Sequence, residues 1–573
     1  MRRIHRSIKW VGLSLLFFLI VLTTPENTRA QDPQPGESSS PFDPRFGIVD
    51  SFVDTAEANA AQAGWTRVFF RWDVVQPAGS FDWKPVNVPD PLLNAEVAAG
   101  REIAAVLIGT PSWATESRTS TAVPPQEAWG DFVFKIATQY KGRVKHWIIW
   151  NQPDVTDPTS GNHTWDGSEE DYYRLLKEAY LKIKAVDPTM QIHIAGLTYT
   201  WDQEQGNRQY LDRLLDIIIA DPEAANQNYF FDAVGYHLYY DPVQILGALR
   251  DIRGILDAHG LGQKPIWLDE TNAPPSEDFI EPPTAPTAYS ITLDEQSAFV
   301  IQAFALGLAG GAERIAFNKM RNERDHPESA APFGLLRGDN SRRPAFNAFR
   351  VVSTYFAGMQ QASWLQLGNI YIVTLDRGGQ TTTVLWNTAT TPVNYSLNAI
   401  APEGIMVDER GNLQTIPASN GVYTIQLPGA VCSSGAYCFI GGAPRLIVET
   451  GSPAQRAPLL PLTAPTATVT PLPLPTNTPL PTDTPLPLPP TITATSEAEV
   501  ASSATESEPS PEGDLSTPMA ESAPPPADAL PTPGVEETPP EAIALLDTET
   551  DSAVSAGPTP TVVPPVSFST VLR

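Results

Sequence analysis

The chain has 573 residues, 42% of them hydrophobic, which is too long for one ordinary domain and apolar enough for a large core. A formal net charge of −28 argues against nucleic acid as a partner and favours solubility. The 7 histidines are scattered without ligand spacing and no phosphate-cradling glycine loop is present, so neither a metal site nor a cofactor is expected.

At the N-terminus, Arg2, Arg3, Arg6 and Lys9 precede the apolar run "VGLSLLFFLIVL", and the small residues Thr28 and Ala30 close the stretch before "QDP". A basic start, an apolar core too short to span a bilayer and a small-residue close make residues 1–30 a secretory signal peptide, with an uncleaved membrane anchor as the alternative. The mature protein is therefore expected to be secreted or held at the cell surface, with no transmembrane domain after cleavage. Residues 31–44 read as a linker.

From 45 to 358, strand-like runs alternate with helix-like runs, the pattern of a parallel sheet with crossover helices. The strand candidates are "FGIVDSF", "TRVFFRW", "IAAVLIG", "VKHWIIW", "IHIAGL", "FDAVGYHLY", "PIWLDE" and "RIAFNKM". Helices are expected to begin near Asp54, Pro91, Pro125, Ser168, Tyr210, Pro242, Leu293 and Arg343. In the fourth of these, Tyr172, Leu175, Leu176, Ala179 and Ile183 recur at helical spacing behind a Ser168 cap. Eight strand–helix units over roughly 300 residues predict an α/β fold of the (β/α)8, or TIM, barrel type.

Residues 359–450 change period. "NIYIVTLDR", "TTTVLWNT", "VNYSLNA", "GIMVDERGN", "GVYTIQLPG" and "PRLIVET" alternate apolar and polar residues between turns, predicting a small antiparallel β-sandwich packed on the barrel. Cys432 and Cys438, in "VCSSGAYC", are expected to form a disulfide across a tight turn, two buried free thiols being the alternative. Residues 451–573, with repeats such as "TPLPLPTNTPLPTDTPLPLPP", bury too little apolar surface to fold and read as a disordered, extended spacer.

Reactive groups in such a barrel sit where strands end and loops begin. Those positions hold Arg71 and Asp73 after the second strand, Trp113 after the third, Asn151, Gln152 and Asp154 after the fourth, His237 and Tyr239 after the sixth, and Glu270 on the seventh. Alternation along "TRVFFRWD" turns Val68 and Phe70 toward the helices and Arg67, Phe69 and Arg71 inward. In "IWLDE" it sets Trp267 and Asp269 on one face and Ile266, Leu268 and Glu270 on the other. Inward arginines need an anion, and Glu270 is expected to supply it. A carboxylate ringed by arginine and the polar tips of His237 and Tyr239 stays ionised, as a nucleophile must.

These motifs resemble a large clan of retaining glycoside hydrolases on (β/α)8 barrels, including cellulase-like, xylosidase-like and iduronidase-like families. "AGWTRVFFRWDVVQPAGSFDW" is similar to their second strand and its loop, "IGTPSWA" to the third, "WIIWNQPD" to a fourth usually written WNEP, "GYHLYY" to the sixth and "PIWLDET" to the seventh. The resemblance covers most of residues 45–358, and the sandwich looks like the accessory domains of these families. It implies Glu270 as nucleophile, Asn151 as the residue binding a sugar 2-hydroxyl, and Arg67, His237 and Tyr239 as the polar lining, with carbohydrate as the partner. Two departures stand out: Gln152 occupies the acid/base position, and Asn318 and Lys319 stand where the eighth strand usually presents a tryptophan. Trp113 and Trp165 are the other candidates for stacking on a sugar face.

Glutamine donates no useful proton, and general acid–base assistance is typically worth about 10²- to 10⁴-fold. Three outcomes stay open. Asp154 or Asp73 supplies the proton from a neighbouring loop; or the leaving group needs none, as in plant myrosinases, which also carry NQP and cleave thioglycosides; or the site is catalytically inactive and only binds a glycan.

Overall fold

The computed structural model describes residues 41–84, 88–284, 287–322, 332–435 and 438–458. The expected signal peptide, most of the linker and nearly all of the expected spacer lie outside the described residues.

Eight strands form a closed parallel barrel: β1 Phe46–Val49, β2 Trp65–Arg71, β3 Glu102–Ile108, β4 His146–Asn151, β5 Gln191–Leu197, β6 Ala233–His237, β7 Ile266–Thr271 and β8 Ala312–Phe317. Each pairs with the next, and β8 pairs with β1, so no edge is left open. Every expected strand is present, because each apolar run is buried on both sides, by the barrel interior and by the helices. The helix Glu169–Val186 begins at Ser168, whose hydroxyl accepts from the Asp171 N–H while Asp171 returns the bond, a reciprocal cap.

Eight further strands follow: β9 Gln361–Leu367, β10 Ile370–Asp376, β11 Gln380–Asn387, β12 Val393–Asn398, β13 Glu403–Asp408, β14 Leu413–Pro417, β15 Val422–Leu427 and β16 Arg445–Thr450. Six form an antiparallel sheet in the order β14-β13-β16-β11-β10-β9, and β12 pairs with β15. Ile372, Leu385, Tyr395, Leu397, Ile425 and Ile447 close a common core between these two sheets. The pattern in the sequence misses β9 and β14. Both are edge strands with few buried residues, so neither carries a strong apolar alternation.

The six-stranded sheet packs through β9 and β10 on the helix Leu293–Ala309, which is buried almost all round. Its Gln302 side chain bonds to the backbone of Gly441 and Gly442, and Ser433 bonds through its backbone N–H to Glu295. Ser433 lies within the loop closed by the Cys432–Cys438 disulfide. Among the described residues no helix is long and apolar enough to cross a membrane.

The lower half of the barrel is filled by aromatic and basic side chains. Trp267 packs on Trp65, His146 and His193 with ring centroids 4.9, 4.7 and 4.4 Å away, and Arg314 lies over it at 4.4 Å. His146 is hydrogen-bonded to His193 at 3.0 Å and to Glu102 at 3.2 Å. Burial pushes His146 down to about 4, against the pull of Glu102, and pushes His193 well below the ordinary histidine value. A histidine kept neutral by the fold contributes its full stability above the unfolded value of 6.5 and loses it as pH falls toward 4. At about 1.4 kcal/mol per unit, His146 alone is worth on the order of 3 kcal/mol across that window. Asp154 acts in the opposite sense. Burial raises it to about 6, so its contribution is present at low pH and lost as pH rises through that value. Denaturant midpoints of wild type and His146→Gln at about pH 7 and about pH 4.5 isolate the histidine: the variant is expected to lose about 2–3 kcal/mol less on acidification, and equal losses would contradict this.

Candidate active site

The site is built on Arg67, near the middle of β2. Its neighbours Val68 and Phe70 are buried on the helical side, Phe70 with its ring 4.8 Å from that of Tyr140, so Arg67 points into the barrel and is 0% exposed. One guanidinium serves two other strands, β4 and β7. NH1 donates to Glu270 Oε1 at 2.6 Å, NH2 donates to Asn151 Oδ1 at 2.6 Å, and Nε lies 3.2 Å from Asp269 Oδ2.

That last contact corrects the expectation for β7. Trp267 and Asp269 occupy the inward face, and strict alternation would aim Glu270 at the helices. Instead the ladder with β6 slips: Tyr236 pairs with Leu268 but His237 pairs with Glu270, leaving Asp269 as the extra residue of a bulge. The ladder with β8 slips over the same residues. Two consecutive carboxylates therefore reach the same arginine. Asp269 is wholly buried over Gly235, where an added Cβ would stand 3.0 Å from its Oδ1. Burial opposes its ionisation, but His237 and Arg67 outweigh it and hold its carboxyl below the usual range.

Glu270 is the outer of the two, its side chain 13% exposed. Tyr239 donates to its Oε2 at 2.6 Å, and Asn318 Nδ2 donates to Tyr239 at 2.7 Å and reaches Oε2 at 3.3 Å. Asn318 thus occupies the eighth-strand position as a polar contact to the carboxylate. Burial first, and then the adjacent Glu270 charge, raise the Tyr239 phenol well above its ordinary value, so it stays a donor.

The end of β4 is strained. Trp150 and Gln152, flanking Asn151, both have left-handed backbones, at φ 71° and 46°. Such conformations cost on the order of 1–3 kcal/mol for residues other than glycine, and they collect where function requires them. Here they turn Asn151 onto Arg67 and Gln152 onto His237. The Gln152 amide meets His237 Nδ1 at 3.0 Å, while the other ring nitrogen, Nε2, lies 3.6 Å from both Glu270 Oε1 and Asp269 Oδ1. A single imidazole thus stands between the amide and the carboxylates. Space for that ring comes from Gly196, where a Cβ would sit 2.0 Å from Nε2.

The remaining candidates lie around this group. Arg71 is paired with Asp73, NH2 to Oδ2 at 2.6 Å, and Asp73 packs over Gly109. Trp113 donates its indole N–H to the Gln76 carbonyl at 2.6 Å and lines a groove with Phe81 and Phe132. Asp154 is 2% exposed, and its Oδ2 accepts from the backbone and hydroxyl of Thr198, both at 2.7 Å. It lies near Tyr172 and Tyr210 of the helices and Tyr236 of β6. Trp165 is no stacking platform: it is 2% exposed, with its ring edge-on to Trp150 at 5.0 Å. The polar loop around it hid the core position. Asp269 is the site residue that alternation misplaces, because a bulge leaves no mark in the apolar pattern. Among the described residues no group of three or more His, Cys, Asp or Glu side chains is placed to hold a metal ion.

No protein-family model and no curated protein matches this chain. Among solved structures, the chain is similar to a family 39 glycoside hydrolase from the gut symbiont Bacteroides cellulosilyticus WH2, at 17% identity and a TM-score of 0.53, over 71% of this chain and 81% of that one. A family 39 enzyme from Xanthomonas axonopodis pv. citri matches at 13% identity and a TM-score of 0.48, over 72% and 96%. A family 30 endoxylanase from Clostridium papyrosolvens C71 matches at 12% identity and a TM-score of 0.48, over 73% and 98%. The chain has a glycoside hydrolase fold, an eight-stranded parallel barrel like that of the Bacteroides protein.

Proposed function

We propose that this chain is an exported glycoside hydrolase-like protein that acts on β-linked glycosides, with Glu270 as the nucleophile of a retaining-type site and Gln152 in place of the acid/base. The observation that carries this reading is the Glu270 carboxylate, open to solvent on one side and fixed by Arg67, Tyr239 and Asn318 on the others. A carboxylate so held is aimed, which a nucleophile needs. In two-carboxylate retaining sites the second group stands about 5–5.5 Å from the nucleophile and protonates the departing oxygen. Gln152 faces Glu270 across His237 and supplies only an amide. Asp154 is bonded to Thr198 and Asp73 to Arg71, so neither is committed to this proton. The substrates best matched to such a site are glycosides whose leaving group departs as a stable anion. Export is inferred from the N-terminal sequence, with its basic start and apolar run.

Aryl β-glycosides carrying a good leaving group test the reading. Wild type is expected to turn them over and Glu270→Ala to lose at least about 10³-fold. Equal rates in the two proteins would remove Glu270 from the chemistry.

That no carboxylic acid among the described residues is bonded to the Gln152 side chain also favours a second reading, a catalytically inactive extracellular carbohydrate-binding protein on the same scaffold. Measurable glycan affinity without turnover of any aryl glycoside distinguishes it.

A further inference from the structure

We propose that Asp269 is a positioning residue that keeps Arg67 neutralised while Glu270 is consumed by the reaction, a role that rests on Glu270 being the nucleophile. Arg67 has no exposed surface and touches two carboxylates, Glu270 at 2.6 Å and Asp269 at 3.2 Å. Glu270 can meet a substrate; Asp269, with its side chain 1% exposed, cannot.

In the first step a Glu270 oxygen gives an electron pair to the anomeric carbon. The bond from that carbon to the leaving atom breaks, and its pair departs with the leaving group. The carboxylate becomes a neutral ester, so the site loses one negative charge. In the second step water attacks the same carbon, the ester bond returns its pair to Glu270, and a proton passes to solvent. Between the two steps Arg67 would be a buried cation without an anion, a strongly unfavourable state. Asp269 prevents it.

The way Asp269 is held fits a counter-ion. Its Oδ2 lies 3.2 Å from Arg67 Nε and its Oδ1 3.6 Å from His237 Nε2, so its grip on Arg67 is chiefly one of charge. It leaves NH1 and NH2 free to hold Glu270 and Asn151. The β7 bulge is what brings adjacent residues to one guanidinium, and Gly235 keeps the space beneath. A carboxylate needed only to fill volume would call for neither.

Thermal unfolding of wild type, Glu270→Gln, Asp269→Asn and the double variant tests this. Glu270→Gln imitates the uncharged ester and is expected to lower Tm by less than about 3 °C, because Asp269 still balances Arg67. The double variant leaves Arg67 with no carboxylate and is expected to lose at least about twice the sum of the single losses. Additive losses would overturn the proposal. If the double variant is not recovered folded, the same two substitutions are made together with Arg67→Met: recovery of folded protein then supports the proposal, and continued failure overturns it. With an activated aryl β-glycoside, Asp269→Asn is expected to slow the initial burst about 10²-fold or more with KM nearly unchanged, and a wild-type burst would overturn it. Should wild type release nothing from any glycoside, the role during turnover falls together with the hydrolase reading, and the stability comparison alone identifies the counter-ion.

Discussion

Changing Gln152 to glutamate is expected to raise turnover of glycosides with poor leaving groups by about 10²- to 10⁴-fold, while good leaving groups gain little. The gain is selective because proton donation matters only where the departing oxygen cannot carry its own charge. Glutamate nearly matches glutamine in volume, so the left-handed turn at 152 and the contact with His237 Nδ1 need no rebuilding. The environment also favours the protonated form that an acid requires. Two carboxylates, Asp269 and Glu270, already lie beyond the His237 ring, each 3.6 Å from Nε2, and a third negative charge beside them is disfavoured. Rates for a series of aryl and alkyl glycosides, plotted against leaving-group acidity, check the prediction. A steep dependence in wild type that flattens in the variant is the expected pair of results. An unchanged slope would show that Gln152 does not face the glycosidic oxygen, and the reading of this site as a hydrolase lacking its acid would go with it.

The barrel was legible because its strands are short, apolar and punctuated by capped helices, features that act locally. Buried runs such as "AAVLI" and "WIIW" have few alternatives, and Ser168 announces a helix before its first turn forms. The edge strands β9 and β14 were illegible for the opposite reason: what fixes them is pairing with a neighbour, which leaves little apolar trace. At the site, Asn151, Gln152, His237, Tyr239 and Glu270 could be found because they lie at strand ends, and Arg67 because alternation turns it inward, each with the wrong polarity for a core. Their grouping around one guanidinium could not be read from spacing, since the contact between residues 67 and 270 spans a sequence separation of 203. Asp269 failed differently. Period-two alternation is a rule about regular ladders, and one inserted residue reverses it for everything downstream. Trp165 failed because loop composition says little about whether a side chain turns back into the core.

Removing the Arg67 guanidinium is expected to be the most damaging single change to this site, costing about 3–5 kcal/mol and abolishing detectable turnover in Arg67→Ala. Two effects combine. Asp269, with no exposed surface, would become a buried anion left with the His237 ring nitrogen 3.6 Å away. Asn151 and Glu270 would each lose a 2.6 Å bond that fixes them relative to one another. Against a total stability of roughly 5–15 kcal/mol such a loss is a large fraction, so reduced yield of folded protein is expected as well. Arg67→Lys separates charge from shape. A lysine restores one positive charge but cannot present donors to three partners in a fixed fork, so it should recover part of the stability and little of the activity. Denaturant unfolding of wild type, Arg67→Lys and Arg67→Ala, read alongside turnover of an activated glycoside, gives both numbers. A loss under about 1 kcal/mol in Arg67→Ala would mean that the two carboxylates are not held by this arginine, and the charge balance underlying the site would have to be redrawn.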